Sequence, residues 1–296
     1  MQTNQLKWLL LLILSMIWGS SFILIKKGLV ALSPLQVGSL RIIFAAIFLL
    51  IIGFGTLKNI PKSKWKYIAL TSLFGTFIPA FLFAIAQKHI SSVVSSILNS
   101  LTPLNTLLLG VLAFGIGFNR KQVVGVCIGL VGCLILILNG ENLQNNQNYW
   151  YAGLIVIASI CYATNVNLIQ KHLYGLSPLT ISTGNFTVLV LPAICILTAT
   201  GFFNQIDQVA VQTSIMYILI LGVIGTGVAN IIFFKLIQIS SPVFATSVTY
   251  LIPVVAFGWG FFDGETLTVI QFFGAFVILI GVYLSAKKQK KNIKIG

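Results

Sequence analysis

Acidic side chains are nearly missing from this sequence. Its 296 residues hold four Asp and Glu together, against 18 Lys and Arg. Charged residues of either sign make up only 7% of the chain, where a soluble domain carries about a quarter. With 57% hydrophobic residues and a mean hydropathy of +1.02, that scarcity excludes a soluble globular protein and fits a polytopic membrane protein. Ligand clusters are also missing. The four cysteines (Cys127, Cys133, Cys161 and Cys195) are scattered through apolar runs, and His89 and His172 stand far apart. A disulfide framework or a metal site needs closely spaced partners, so no metal and no cofactor is expected and the thiols read as apolar filler.

What is present is a series of long apolar runs. Crossing about 30 Å of hydrocarbon takes about 20 residues. Ten such runs can be laid out, over 7–26, 35–55, 66–87, 92–116, 122–139, 151–171, 179–200, 213–236, 243–262 and 269–286. The first follows Lys7 like a signal peptide, but it continues through Trp18 to Ile25 without a small-residue cleavage site and reads as a retained span. Ser33-Pro34 and Ser177-Pro178 suit helix starts. Lys88-His89-Ile90-Ser91 leaves room only for a tight hairpin.

The basic residues set an orientation. With the N-terminus inside, the inner side collects Lys7, Lys58, Lys62, Lys64, Lys66, Arg120, Lys121, Lys171 and Lys235. It also takes the tail lysines 287, 288, 290, 291 and 294, while the outer side receives only Lys26, Lys27 and Lys88. By the positive-inside rule both termini face the cytoplasm. The same topology accounts for the net charge of +14, so no nucleic-acid partner is expected.

The chain also repeats itself. Ser91-Ser-Val-Val-Ser-Ser-Ile-Leu-Asn-Ser-Leu-Thr-Pro103 is matched 150 residues on by Ser241-Pro-Val-Phe-Ala-Thr-Ser-Val-Thr-Tyr-Leu-Ile-Pro253. Gly75-Thr76 pairs with Gly225-Thr226 at the same offset, and Leu32-Ser-Pro34 with Leu176-Ser-Pro178 at 144. Trp18 falls over Tyr162 at that second offset, and Gly125 and Gly132 match Gly274 and Gly281 at 149. Five spans per half is an odd number, so the second copy must enter the membrane inverted. The expected fold is an all-α integral membrane protein of ten transmembrane helices in two inverted five-helix repeats. Residues 1–140 form the first repeat, 141–149 an outer linker, 150–286 the second repeat and 287–296 a basic cytoplasmic tail. Inverted repeats are the architecture of secondary transporters, with a site near the midplane where the halves meet.

Three places carry a family resemblance. They are Ile17-Trp-Gly-Ser-Ser-Phe22, Ser33-Pro34 with Leu40-Arg41, and Leu251-Ile-Pro-Val-Val with Asp263-Gly-Glu-Thr-Leu and the glycines 274 and 281. In these the chain resembles the EamA family of the drug/metabolite transporter superfamily over nearly its whole length. The first half departs from the pattern, with Phe118-Asn119 where the second has Gly264-Glu265. The resemblance implies a ten-helix carrier of small metabolites, often amino acids or drug-like amphiphiles, usually moving them outward across a bacterial inner membrane.

Candidate binding residues follow from polarity inside the spans. Asn99, Thr102 and Thr106 fall at i, i+3 and i+7, and Thr246, Tyr250 and Pro253 repeat that spacing. Such faces can hold a polar solute without placing a charge in lipid; packing through small polar residues is the other reading. Trp18, Tyr162 and Asn165 stand mid-span on the repeat-related first and sixth runs, and Asn230 lies midway down the eighth. The substrate-binding set is therefore Trp18, Asn99, Thr102, Tyr162, Asn165, Asn230 and Tyr250. Arg41 is the one fixed charge well inside a span, a candidate for gating or carboxylate binding. It also lies about six residues, roughly 9 Å, from the outer end of its run, within reach of the headgroups by snorkelling.

No expected span contains Asp or Glu, the usual members of an intramembrane proton relay, which suggests an exchanger or facilitator driven by solute gradients. The partners expected are a small-molecule substrate and the lipid bilayer. A lipid-facing groove and a dimer face look alike in sequence, so no oligomeric state is assigned. Competing readings are a lipid-headgroup or drug exporter or flippase, and a pore. An enzyme is disfavoured because Asp263 and Glu265, the only close pair of acids, have no histidine near them.

Overall fold

A computed structural model describes residues 3–90, 92–138, 149–262 and 269–285, and every regular element among them is helical. The elements are α1 Thr3–Gly28, α2 Pro34–Gly53, α3 Trp65–Ser72, α4 Ile78–Gln87, α5 Ser92–Asn99, α6 Thr102–Leu112 and α7 Arg120–Leu138. There follow α8 Ala152–Leu168, α9 Pro178–Ala199, α10 Val209–Gly222, α11 Ala229–Ile239, α12 Pro242–Thr246, α13 Val248–Phe262 and α14 Val269–Ser285. Among the described residues, six stretches are long and apolar enough to cross a membrane: Gln5–Gly28, Pro34–Asn59, Lys62–Gln87, Ala152–Leu173, Pro178–Ala199 and Val209–Ile239. Shorter apolar helices occupy the other expected runs. The tail at 287–296 and all but Tyr149 of the 141–149 linker lie outside the described residues, as do Glu141, Asp263 and Glu265.

Helix starts follow local chemistry. Ser33 caps α2 in a reciprocal box, its Oγ accepting from Gln36 N at 3.3 Å while Gln36 Oε1 accepts from Ser33 N at 2.8 Å. Ser177 and Ser241 cap α9 and α12 through their Oγ atoms, and each of these three serines precedes a proline in the first turn. Proline costs nothing there, because that N–H has no helical partner.

The helices are apolar on all sides, so burial is not sorted by amphipathicity. On α1, Leu9, Leu12, Met16 and Ile23 stay exposed, while Leu11, Leu14, Ser21 and Ile25 are buried. The inward faces differ by carrying small and hydroxyl residues. Many of those hydroxyls bond back to their own helix, as Ser21 does to Ile17 O at 2.8 Å and Thr106 to Thr102 O at 2.8 Å. That satisfies them without water. α2 packs along α9, and α1 packs against α10, α11 and α13, so elements from the two ends of the chain interleave. α7 and α14 meet backbone to backbone: a Cβ on Gly281 would stand 2.4 Å from Gly129 N.

Regular helix fails in matching places. α3 and α4 are joined by the π-helical stretch Leu73–Phe77, and α10 and α11 by Val223–Val228. The run 92–116 breaks between α5 and α6, and the run 243–262 breaks near its start, between α12 and α13. All four irregularities face one interior space.

Candidate functional site

That interior space offers about 80 Å³ to the centres of water molecules. It is narrow beside sites that enclose a drug-sized ligand, which hold roughly 300–1,000 Å³. α1 supplies Trp18, Ser21, Phe22 and Ile25, and α2 supplies Arg41. The two π-helical joints supply Gly75, Thr76 and Thr226, and α11 adds Asn230 and Phe233. Asn99, Thr102 and Tyr162 come from α5, α6 and α8, and Thr246 and Thr249 from α12 and α13.

The broken runs give the cavity its polar backbone. A proline has no N–H for the carbonyl four residues earlier. Pro103 therefore releases Asn99 O, and Pro253, inside α13, releases Thr249 O. Both carbonyls find hydroxyl donors: Thr102 Oγ1 donates to Asn99 O at 2.6 Å, and Ser100 Oγ shares its proton between Ser96 O at 2.9 Å and Thr249 O at 3.3 Å. The bond to Thr249 ties one broken run to the other. The spacing puts Asn99, Thr102 and Thr106 on one continuous helical face, whereas a turn at Ser100–Leu101 stands between Asn99 and the other two, which share α6. Asn99 and Thr102 line this cavity and Thr106 lines another.

The π-helical joints act similarly. Widening the turn to i→i+5 displaces carbonyls from the regular ladder, a feature frequent at functional sites. Trp18 Nε1 donates to Gly225 O across 3.1 Å, and Thr226 Oγ1 donates to Leu221 O at 3.0 Å. Thr226 Oγ1 also accepts from Arg41 Nε at 2.6 Å. Arg41 thus turns into the cavity instead of reaching for the headgroups. Tyr162 lies within electrostatic reach of its guanidinium. Aromatic rings close the other walls: Trp18 and Phe233 meet edge-on at 5.0 Å between centroids, Phe22 and Phe83 at 6.0 Å.

Of the residues singled out in the sequence, Trp18, Arg41, Asn99, Thr102, Tyr162 and Asn230 line this one cavity. Asn165 stands just behind the wall, against the backbone of the first π-helical joint: a Cβ on Gly75 would lie 2.5 Å from its Cγ. Tyr250 points away. Its ring packs on Gly129 of α7, and its hydroxyl donates to Val126 O at 2.9 Å. The break at Ser247 turns α13 relative to α12, so the i, i+4 spacing from Thr246 does not bring Tyr250 to the same side. Sequence reasoning missed Thr226, the partner of Arg41. Its match to Thr76 was legible, but a hydroxyl beside two glycines reads as packing.

A second space lies beyond Thr106, at the ends of α6 and α8 and the start of α12, with about 300 Å³ open to water centres. Gln122 and Gln170 line it, with Asn167, whose Nδ2 donates to Thr106 O at 3.0 Å. Two ring stacks hold the α3–α4 and α8 rods together at their ends, Tyr67 on His172 at 3.9 Å and His89 on Tyr151 at 3.8 Å.

Known proteins resemble this chain along most of its length. An "Uncharacterized inner membrane transporter YedA" of Escherichia coli (strain K12) is 28% identical over 280 residues, covering 92% of this chain and 87% of its own. A "Probable amino-acid metabolite efflux pump" of Salmonella typhimurium is 27% identical over 289 residues, covering 93% of each chain. An "S-adenosylmethionine/S-adenosylhomocysteine transporter" of Chlamydia muridarum is 24% identical over 258 residues, covering 82% and 80%. A solved crystal structure at 14% identity superposes with a TM-score of 0.70, covering 94% of this chain and 95% of that one, which shows a shared fold. The profile of one family matches residues 6–138 and 149–287. This chain, a membrane transporter, belongs to the EamA-like transporter family.

Proposed function

We infer that the chain is a secondary transporter of small polar metabolites such as amino acids, working as an exporter or exchanger by alternating access. The observation that carries this reading is the cavity itself: one space, lined from both halves of the chain, with a single guanidinium among neutral hydroxyl, amide and aromatic groups. Ten spans in two inverted repeats, 1–140 and 150–286, fit the two stretches matched by the family profile. A pair of contacts supports the inversion. Ser21 Oγ would lie 2.9 Å from a Cβ on Gly225, and Asn165 abuts Gly75. Ser21 and Asn165 are 144 residues apart and Gly75 and Gly225 are 150 apart, the two offsets of the sequence repeat.

Trp18, Arg41, Asn99, Thr102, Tyr162 and Asn230 are the binding residues in this reading. The two repeats rock about the cavity, and the π-helical joints and broken runs take up the motion, since their backbone groups already bond outside the regular ladder. Both termini face the cytoplasm of a bacterial inner membrane. The second space then opens inward as a vestibule. Counterflow tests the proposal: protein in liposomes preloaded with mixed amino acids and metabolites takes up labelled solute by saturable exchange, which Trp18→Ala abolishes while the protein stays folded. Ohmic current, or lipid scrambling without solute exchange, would overturn it.

A further inference from the structure

We propose that the group this cavity recognises is a carboxylate, held by Arg41, and that the solute's ammonium is dispensable. The favoured substrates are organic monoanions with an apolar or aromatic body. The inference rests on the transport reading of the same cavity and narrows its chemistry.

Arg41 carries five N–H donors, and one of them, Nε–H, goes to Thr226 Oγ1. Among the described residues its Nη groups have no hydrogen-bond partner and no carboxylate pairs with it. The Thr226 bond anchors the guanidinium at Nε, and Arg41 lines the cavity. A planar fork of that kind matches the two oxygens of a carboxylate and is a poor fit to a neutral hydroxyl. A charge held inside a membrane protein without a partner is costly, and such residues face a cavity and pair with something there. Thr226 is itself occupied, since its hydroxyl proton goes to Leu221 O. It therefore positions the arginine and neutralises nothing.

Among the described residues no comparable provision exists for a cation. The chain's four acids are Glu141, Asp207, Asp263 and Glu265, and the described one, Asp207, lies in the exposed turn before α10. The oxygens that could receive an ammonium are already used in part. Asn99 O takes Thr102 Oγ1, Thr249 O takes Ser100 Oγ and Gly225 O takes Trp18 Nε1. An ammonium here would meet a guanidinium of the same sign and no carboxylate among the described residues, whereas a carboxylate meets an unpaired fork. The rest of the solute lies against Trp18, Phe22, Phe83 and Phe233, an apolar wall suited to an aryl or alkyl body.

Three probes with one body separate the charges: 3-phenylpropionate (carboxylate alone), phenylalanine (both groups) and 2-phenylethylamine (ammonium alone). Binding to the purified full chain in nanodiscs is measured by calorimetry, for the parent protein and for Arg41→Gln, Arg41→Lys and Thr102→Trp, the last filling the cavity. The expected result is that 3-phenylpropionate binds at least as well as phenylalanine and the amine at least 10-fold more weakly. Arg41→Gln then weakens both acids at least 10-fold with the amine unchanged, and Arg41→Lys restores part of the loss. Equal or tighter binding of the amine, or acid binding within two-fold of the parent in Arg41→Gln, would overturn the proposal. If the amine binds as tightly as the acids and Thr102→Trp abolishes it, the carboxylate inference fails alone. If no probe binds, or Thr102→Trp changes nothing, both the inference and the cavity's role fail.

Discussion

The hydroxyl of Ser100 stands 3.3 Å from the carbonyl of Thr249, which Pro253 leaves without a helical partner, and 2.9 Å from Ser96 O in its own helix, so its one proton is divided between them. A break in one run is thus partly satisfied by a residue at the break of the other. Pro253→Ala returns an N–H to Thr249 O and removes the need for Ser100. The expected outcome is a protein melting at the same temperature or higher, because a helix-interior proline is costly. Its counterflow should be at least several-fold slower, because α13 straightens across the cavity. Thermal unfolding and exchange rates on one preparation check both halves. A variant that unfolds earlier yet transports normally would mean the proline serves packing alone.

The indole of Trp18 has two separable parts. Its N–H holds Gly225 O at 3.1 Å, and its ring faces Phe233 and the cavity. Trp18→Phe keeps an aromatic ring and loses the bond, at a cost of about 0.6 kcal/mol, typical of interhelical hydrogen bonds in membranes. Exchange should persist at reduced affinity. Trp18→Ala removes the wall as well and should abolish it.

Tyr250 checks whether the cavity or its surroundings matter. Its hydroxyl is spent on Val126 O, and its ring fills the notch at Gly129. Tyr250→Phe should lower stability by about 0.6 kcal/mol and leave the apparent affinity for solute unchanged. A change in affinity with unchanged stability would put Tyr250 back at the site.

Tyr250 also marks where sequence stops being informative. Apolar run lengths and Ser-Pro starts located the six membrane-length helices, because hydrocarbon thickness and capping act locally. Polar residues inside the spans brought out six of the cavity residues. Which way each side chain points was beyond reach where the helix breaks, since spacing arguments assume an unbroken 3.6-residue period. The turn at Ser100–Leu101 and the break at Ser247 each reset that phase. Arg41 was ambiguous for another reason: its reach to the headgroups is a one-dimensional estimate, and Thr226, which decides the matter, stands 185 residues away.

Orientation follows from lysine placement and has its own test. Ser63 and Phe203 are exposed, the first before α3 and the second before α10, on opposite sides by the positive-inside rule. In a background without native cysteines, Phe203→Cys should react with a membrane-impermeant thiol reagent on intact cells. Ser63→Cys should react only after lysis. The reverse pattern would invert the topology and turn the second space outward.

Two glycines of similar appearance should behave differently. A Cβ on Gly281 meets main-chain atoms of Gly129, the amide nitrogen at 2.4 Å and Cα at 2.6 Å, so α7 and α14 must separate along their length. The atoms nearest a Cβ on Gly75 are the amide end of Asn165, from 2.5 Å, a side-chain group that another rotamer can withdraw. Overpacking costs about 1–3 kcal/mol where neighbours cannot move, so Gly281→Ala should lie at or above the top of that range and lose folded yield. Gly75→Ala should lie at its bottom. Its consequence appears in transport, because the displaced Asn165 amide has to go past the wall it now supports. The pair of measurements, melting temperature and exchange rate, should therefore move in opposite order for the two variants. If Gly75→Ala destabilised as much as Gly281→Ala, the first π-helical joint would be as rigid as the α7–α14 seam, and the motion assigned to it would have to arise elsewhere.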